Sequence, residues 1–211
     1  MSVYRVNAPK TLPPNNEIPY LVAQHFPQGF RGYAIDVGAS DGKYINSTYL
    51  LEHMGKWTVV SVEANPMLKP LLLENRAWVE MCACGSKPKD DVDFHVNLDN
   101  LEAFSSLIPQ KTHRRFKEEA GDRWEKVKVN VRTVDQLIEK WQFPRLDALF
   151  VDVEGTERDV LEGCDLAKWK PKVVVVESWD EGSHDVYLES FGYRRYAKSA
   201  ENDLYVRGDE M

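Results

Sequence analysis

Tyr33-Ala34-Ile35-Asp36-Val37-Gly38-Ala39-Ser40-Asp41-Gly42 is the stretch that decides the fold of this 211-residue chain. An apolar strand runs into an acid and then into a glycine-rich turn. Glycine lets a chain turn sharply and bring bare backbone against a ligand. In an open parallel sheet, the carboxyl end of a strand is where a nucleotide lies. A second apolar run, residues 58–63, ends in Glu63. At the same sheet edge, that carboxylate can accept hydrogen bonds from both hydroxyls of a ribose.

Working outward, strand and helix signals alternate, which predicts a mainly parallel sheet covered by helices. Besides 33–38 and 58–63, compact apolar runs at 78–83, 147–153 and 172–178 read as strands buried on both faces. Helices are expected between them at 45–54, 67–75, 134–141 and 157–162. Residues 92–96 and 126–132 alternate polar and apolar side chains, the pattern of edge or antiparallel strands. Residues 193–197 and 204–207, on either side of a polar turn, read as a terminal hairpin. Residues 1–30 form a proline-containing arm and a short helix, with Tyr20, Leu21, Val22 and Ala23 as its apolar side. Residues 31–211 make the one domain.

Bulk properties narrow the function classes. A net charge of −7 gives no global attraction to nucleic acid or anionic membrane. No apolar run reaches the length of a membrane span. Cys82, Cys84 and Cys164 lack zinc-site spacing, so they read as small buried side chains in a cytoplasmic protein with reduced thiols.

Dinucleotide oxidoreductases share the acid after the second strand, so an NAD(P)-dependent enzyme is the main rival reading. Their Gly-x-Gly-x-x-Gly turn seats a diphosphate on a helix N-terminus. Here the spacing is Gly38-x-x-x-Gly42, flanked by Asp36 and Asp41. Those acids would repel a diphosphate and attract the amino and sulfonium groups of S-adenosylmethionine. A non-catalytic module that keeps the cofactor fold is the second rival.

Several ordered segments together resemble the FkbM-type methyltransferases. They are residues 33–42, Asn46-Ser47-Thr48-Tyr49-Leu50-Leu51-Glu52, Val62-Glu63-Ala64-Asn65-Pro66, and Leu149-Phe150-Val151-Asp152-Val153-Glu154-Gly155-Thr156-Glu157 followed by Val160-Leu161-Glu162-Gly163. The resemblance implies an α/β, Rossmann-like seven-stranded methyltransferase sheet with helices on both faces and a C-terminal antiparallel hairpin. It also implies transfer of a methyl group from S-adenosylmethionine to a hydroxyl of a sugar or other small acceptor. Asp36 and Gly38 would border the methionine part of the cofactor, Glu63 would hold the ribose, and residues 83–86 would lie by the adenine. The expected cofactor-binding set is thus Asp36, Gly38, Ser40, Asp41, Gly42, Ser47, Glu63, Ala64, Ala83, Cys84 and Asp152. Two positions depart from the family pattern. Phe150 stands where many members carry lysine, and Ala64 where a proline commonly follows the glutamate.

Methyl transfer to an alcohol is an in-line displacement that needs alignment and a general base. Asp152, Glu154 and Glu157 follow one strand at the cofactor edge, and Glu177 ends the next. Asp152, Glu154 and Glu177 are the expected catalytic acids. Clustered acids leave a divalent metal open, but their spacing assigns no metal ligand. For Glu157 the competing reading is a helix-dipole partner in a first turn. His184, in a late loop, is the outside candidate among the histidines. The basic and aromatic insertion 105–125 could cap the acceptor pocket, form a homodimer contact, or simply be a solvated helix.

Overall fold

The computed structural model describes residues 17–44, 46–100, 104–108 and 123–208. Helix α1 is Ile18–Ala23, strand β1 Tyr33–Val37, α2 Tyr49–His53, β2 Thr58–Glu63, α3 Lys69–Asn75 and β3 Trp78–Met81. Next come β4 Ala83–Cys84, β5 Lys89–Asn97, β6 Trp124–Arg132, α4 Val134–Lys140, β7 Ala148–Val151 and α5 Glu157–Glu162. The chain continues through α6 Leu166–Trp169, β8 Val173–Glu177, α7 Asp185–Glu189, β9 Tyr193–Ser199 and β10 Asn202–Arg207.

Seven strands form the main sheet in the order β3-β2-β1-β7-β8-β10-β9. The β3-β2-β1-β7-β8 portion is parallel, and β10 and β9 join antiparallel as the expected hairpin. Parallel strands alternate their side chains between two apolar layers. Ile35, Val37, Val60, Val62, Leu149, Val151, Val174 and Val176 pack on one face with Val134, Leu137 and Ile138 of α4 and Val160 and Leu161 of α5. Ala34, Val59, Ala148, Phe150, Val173 and Val175 pack on the other with Ile18 and Val22 of α1, Leu51 of α2, and Trp57. Helices therefore cover both faces. Phe150 is buried in the second layer.

Chain order reverses between β1 and β7. From β1 the chain moves to β2 on one side, and β7 later fills the other. A crevice opens at such a switch point, beyond the carboxyl ends of the strands.

Four local expectations are corrected. Strand three stops at Met81. Ala83 and Cys84 instead pair with Val131 and Arg132 in a separate three-stranded sheet ordered β4-β6-β5, which takes up both alternating segments. The helix expected from residue 45 starts at Tyr49, because Asn46 and Thr48 are drawn into contacts with Asp36. In α1 the buried residues are Ile18, Pro19 and Val22, while Tyr20 and Ala23 are exposed. The hairpin strands also reach further into the polar turn, since Asp203 is buried and pairs with Lys198 at 3.6 Å. No described helix is long and apolar enough to cross a membrane.

Candidate active site

The crevice is a cavity of about 580 Å³ at the carboxyl ends of β1, β2, β7 and β8. That volume is within the usual range for a drug-sized ligand. It brings together Asp36, Gly38, Ser40, Ser47, Glu63, Ala64, Ala83, Cys84, Asp152, Glu154 and Glu177. Asp41 and Gly42, expected among them, stand outside the lining. Asp41 Oδ1 accepts from the amides of Lys43 and Tyr44 at 2.8 Å, so that acid closes its own turn. The electrostatic preference for a cation therefore rests on the other acids.

The first half of the site is the β1 turn. Gly38 has φ +88°, and a Cβ there would lie 1.6 Å from the Asp152 carbonyl oxygen. No residue with a side chain fits. Asp36 is only 4% exposed, and its Oδ2 accepts from Thr48 Oγ1 at 2.6 Å and Asn46 Nδ2 at 3.0 Å. Behind them the buried Arg76 donates to Thr48 Oγ1, Asn46 Oδ1, the Gly42 carbonyl and Glu52. Asn46, Thr48, Glu52 and Arg76 were not singled out as site residues. The run Asn46-Ser47-Thr48 signalled two of them, whereas Arg76 lies beyond α3 with no local pattern to mark it.

Glu63 Oε2 accepts from the Ser40 amide at 2.9 Å, and Oε1 from the Asn65 amide at 2.6 Å. Burial raises its pKa to about 7, against the pull of the Asn65, Ser40 and Ala64 amides. Beyond these amides the carboxylate keeps acceptor capacity for a ligand hydroxyl. Ser86 lies apart from the cavity and donates to Asp159 Oδ1 at 2.7 Å.

The second half is acidic. Val151 pairs with Val176, so one further step along the register sets Asp152 beside Glu177. Oxygens of Asp152, Glu154 and Glu177 lie within 4.8 Å of one another. Glu154 has φ +59°, a left-handed conformation unfavourable by about 1–2 kcal/mol for a residue with a Cβ. Its carbonyl accepts from Ser106 Oγ at 2.8 Å, and Phe104, Ser105 and Leu107 cover the cavity beside it. No protein donor reaches Glu154 Oε2 or Glu177 Oε2.

Two unit charges about 4 Å apart repel by roughly 4 kcal/mol under the effective screening of a protein. That repulsion makes each acid bind a proton more tightly than an isolated carboxylate does. Burial first, then the charges of Glu154, Glu157 and Asp36, push Asp152 well above the usual carboxylate range, against a hydrogen bond with Glu177. Asp152 lines the cavity and keeps an exposed surface. Glu177, 5% exposed, is raised by burial and by Asp152, Glu154 and Glu157. Burial and the Glu157 charge bring Glu154 to about 7, opposed by the Phe104 amide. Glu157 lies outside the lining, in the first turn of α5, and accepts from the Gly155 amide at 2.7 Å. His184 also lies outside, with Nε2 3.3 Å from the Glu177 carbonyl. Most of the 105–125 insertion, His113 and its basic neighbours included, lies outside the described residues.

Residues 36–195 match the methyltransferase FkbM domain. The chain belongs to the FkbM methyltransferase family. A curated relative, methyltransferase sdnD of Sordaria araneosa, is 26% identical over 174 residues, covering 70% of this chain and 66% of its own length. The chain thus spans just under two thirds of that relative. The solved FkbM methyltransferase of Methylobacillus flagellatus KT superposes with a TM-score of 0.52 at 17% identity, over 83% of this chain and 43% of that one. That likeness shows a shared fold. The matched FkbM region runs from Asp36 to beyond Glu177, so it contains both halves of the cavity.

Proposed function

We propose that the chain is an S-adenosylmethionine-dependent O-methyltransferase acting on a hydroxyl of a sugar or other small acceptor. One observation carries this reading. The described cavity lining contains six acids, Asp36, Glu63, Asp152, Glu154, Glu177 and Glu201, and no lysine, arginine or histidine. A diphosphate has no counter-charge there, whereas a sulfonium-bearing nucleoside does.

The residues fit that donor. The bare Gly38 backbone permits close approach, and Glu63 offers acceptors to ribose hydroxyls beside Ala64. Ala83 and Cys84 add small side chains to the lining, where a purine would lie. When bound, S-adenosylmethionine supplies an electrophilic methyl group and departs as the neutral thioether. The chain's own part is to align the acceptor and take its proton. An ionised member of the Asp152–Glu177 pair accepts that proton as the oxygen–carbon bond forms, and its raised proton affinity makes it a better base than an ordinary carboxylate.

The test is methyl transfer from methyl-labelled S-adenosylmethionine to a panel of hydroxylated small molecules and sugars. A labelled methyl ether formed by the wild type and absent with Asp152→Asn supports the reading. Labelled nitrogen or carbon products would replace the oxygen acceptor. Absence of transfer to any acceptor by a chain that binds S-adenosylhomocysteine would favour a cofactor-binding module instead.

A further inference from the structure

We propose that Asp152, Glu154 and Glu177 hold a divalent cation of the magnesium or manganese class on the acceptor side of the cavity. Three carboxylates without histidine or cysteine are a hard, all-oxygen donor set, which selects such ions. Magnesium binds oxygen at about 2.1 Å in octahedral geometry, so its ligands stand about 3 Å apart when adjacent and about 4 Å when opposite. The three side chains present oxygens within 4.8 Å of one another, close to that span.

The independent sign of a ligand is the state of two oxygens. Glu177 is 5% exposed, lines the cavity, and has no protein donor to Oε2; Glu154 Oε2 shares that condition. A buried carboxylate oxygen left without a partner is costly, and such groups are normally satisfied by the protein, water or an ion. The nearby described cations are engaged elsewhere. Arg76 serves Glu52 and the Asp36 network, and Lys198 pairs with Asp203 and donates to the Ser178 carbonyl. Nor does a monocationic methyl donor balance three acids. Glu157 lies outside the cavity lining, where it accepts from the Gly155 amide and hydrogen-bonds the Glu177 side chain.

Three protein oxygens leave coordination positions for water or an acceptor hydroxyl. A hydroxyl on a cation loses its proton more readily, which joins this site to the reaction proposed above. Cation binding itself does not require that reading; its use in methyl transfer does.

The experiment titrates Mn²⁺ into the full chain at neutral pH and follows free Mn²⁺ by electron paramagnetic resonance, with S-adenosylhomocysteine binding measured by calorimetry on the same samples. The expected result is one Mn²⁺ per chain, displaced by Mg²⁺. Glu177→Gln and Glu154→Gln should each weaken it by roughly tenfold or more while the nucleoside still binds. The proposal is overturned if the wild type leaves Mn²⁺ free at millimolar concentration, or if both variants bind it as the wild type does. Mn²⁺ binding without nucleoside binding would sink the methyltransferase reading and leave the cation site standing.

Discussion

The two halves of the cavity are built on opposite principles. Around β1 and β2, Asp36 and Glu63 are buried yet satisfied by Thr48, Asn46, and the amides of Ser40 and Asn65. Across the switch point, Asp152, Glu154 and Glu177 crowd together, and two of their oxygens receive no protein donor. A satisfied network rigidifies a seat, whereas an unsatisfied one is completed by what binds to it. The contrast separates a preformed donor seat from an acceptor side that ligand, proton or cation must finish.

The most severe way to break this division is Gly38→Ala, because the added Cβ strikes the Asp152 carbonyl and disturbs both halves. Overpacking and the positive φ together should cost about 4 kcal/mol, with nucleoside binding abolished. Thermal melting and calorimetry read both. Glu177→Gln should act on one half alone. Catalytic turnover is expected to fall roughly a thousandfold, while nucleoside affinity stays within about threefold. Its melting temperature should hold or rise, since one of the repelling acids is gone. A loss of nucleoside affinity in step with turnover would erase the distinction.

Arg76→Ala sharpens the comparison from the other side. It leaves the buried carboxylates of Asp36 and Glu52 without their cation, at a cost of about 3 kcal/mol or roughly 10 °C in melting temperature. Mn²⁺ binding by any molecules that remain folded should persist.

The smallest effect concerns pH. Glu63 titrates near 7 in the folded chain and near 4.5 in the unfolded one, so the folded state holds its proton over that interval. Ligand-free stability contributed by Glu63 therefore falls as pH rises from about 4.5 to about 7 and is level above it. Ribose hydroxyls donate to the ionised form, so nucleoside affinity should run the other way and drop roughly tenfold from pH 8 to pH 6. Glu63→Gln should flatten both profiles relative to the wild type. An unchanged affinity profile would remove Glu63 from the ribose.

Much of this was legible in the sequence because the chemistry sits at strand ends. Glu63, Asp152 and Glu177 each close an apolar run and Asp36 stands one residue before the end of another, and a parallel sheet brings such ends to one edge. What local pattern hid was the use of each acid. Asp36 and Asp41 look alike as flanks of a glycine turn, yet Asp36 organises Asn46 and Thr48 while Asp41 caps its own loop. Arg76 reaches the turn only through the return of α3, and the switch of Ala83 and Cys84 to a second sheet depends on pairing with β6. Long-range contacts settled those points.

The most direct measurement is a calorimetric titration of the chain with S-adenosylhomocysteine and, separately, with NAD. One S-adenosylhomocysteine should bind per chain and NAD should give no binding heat. Glu63→Ala should remove that binding, and Glu177→Gln should keep it. Binding of NAD in place of S-adenosylhomocysteine, or equal loss in both variants, would contradict the assignment of the two halves.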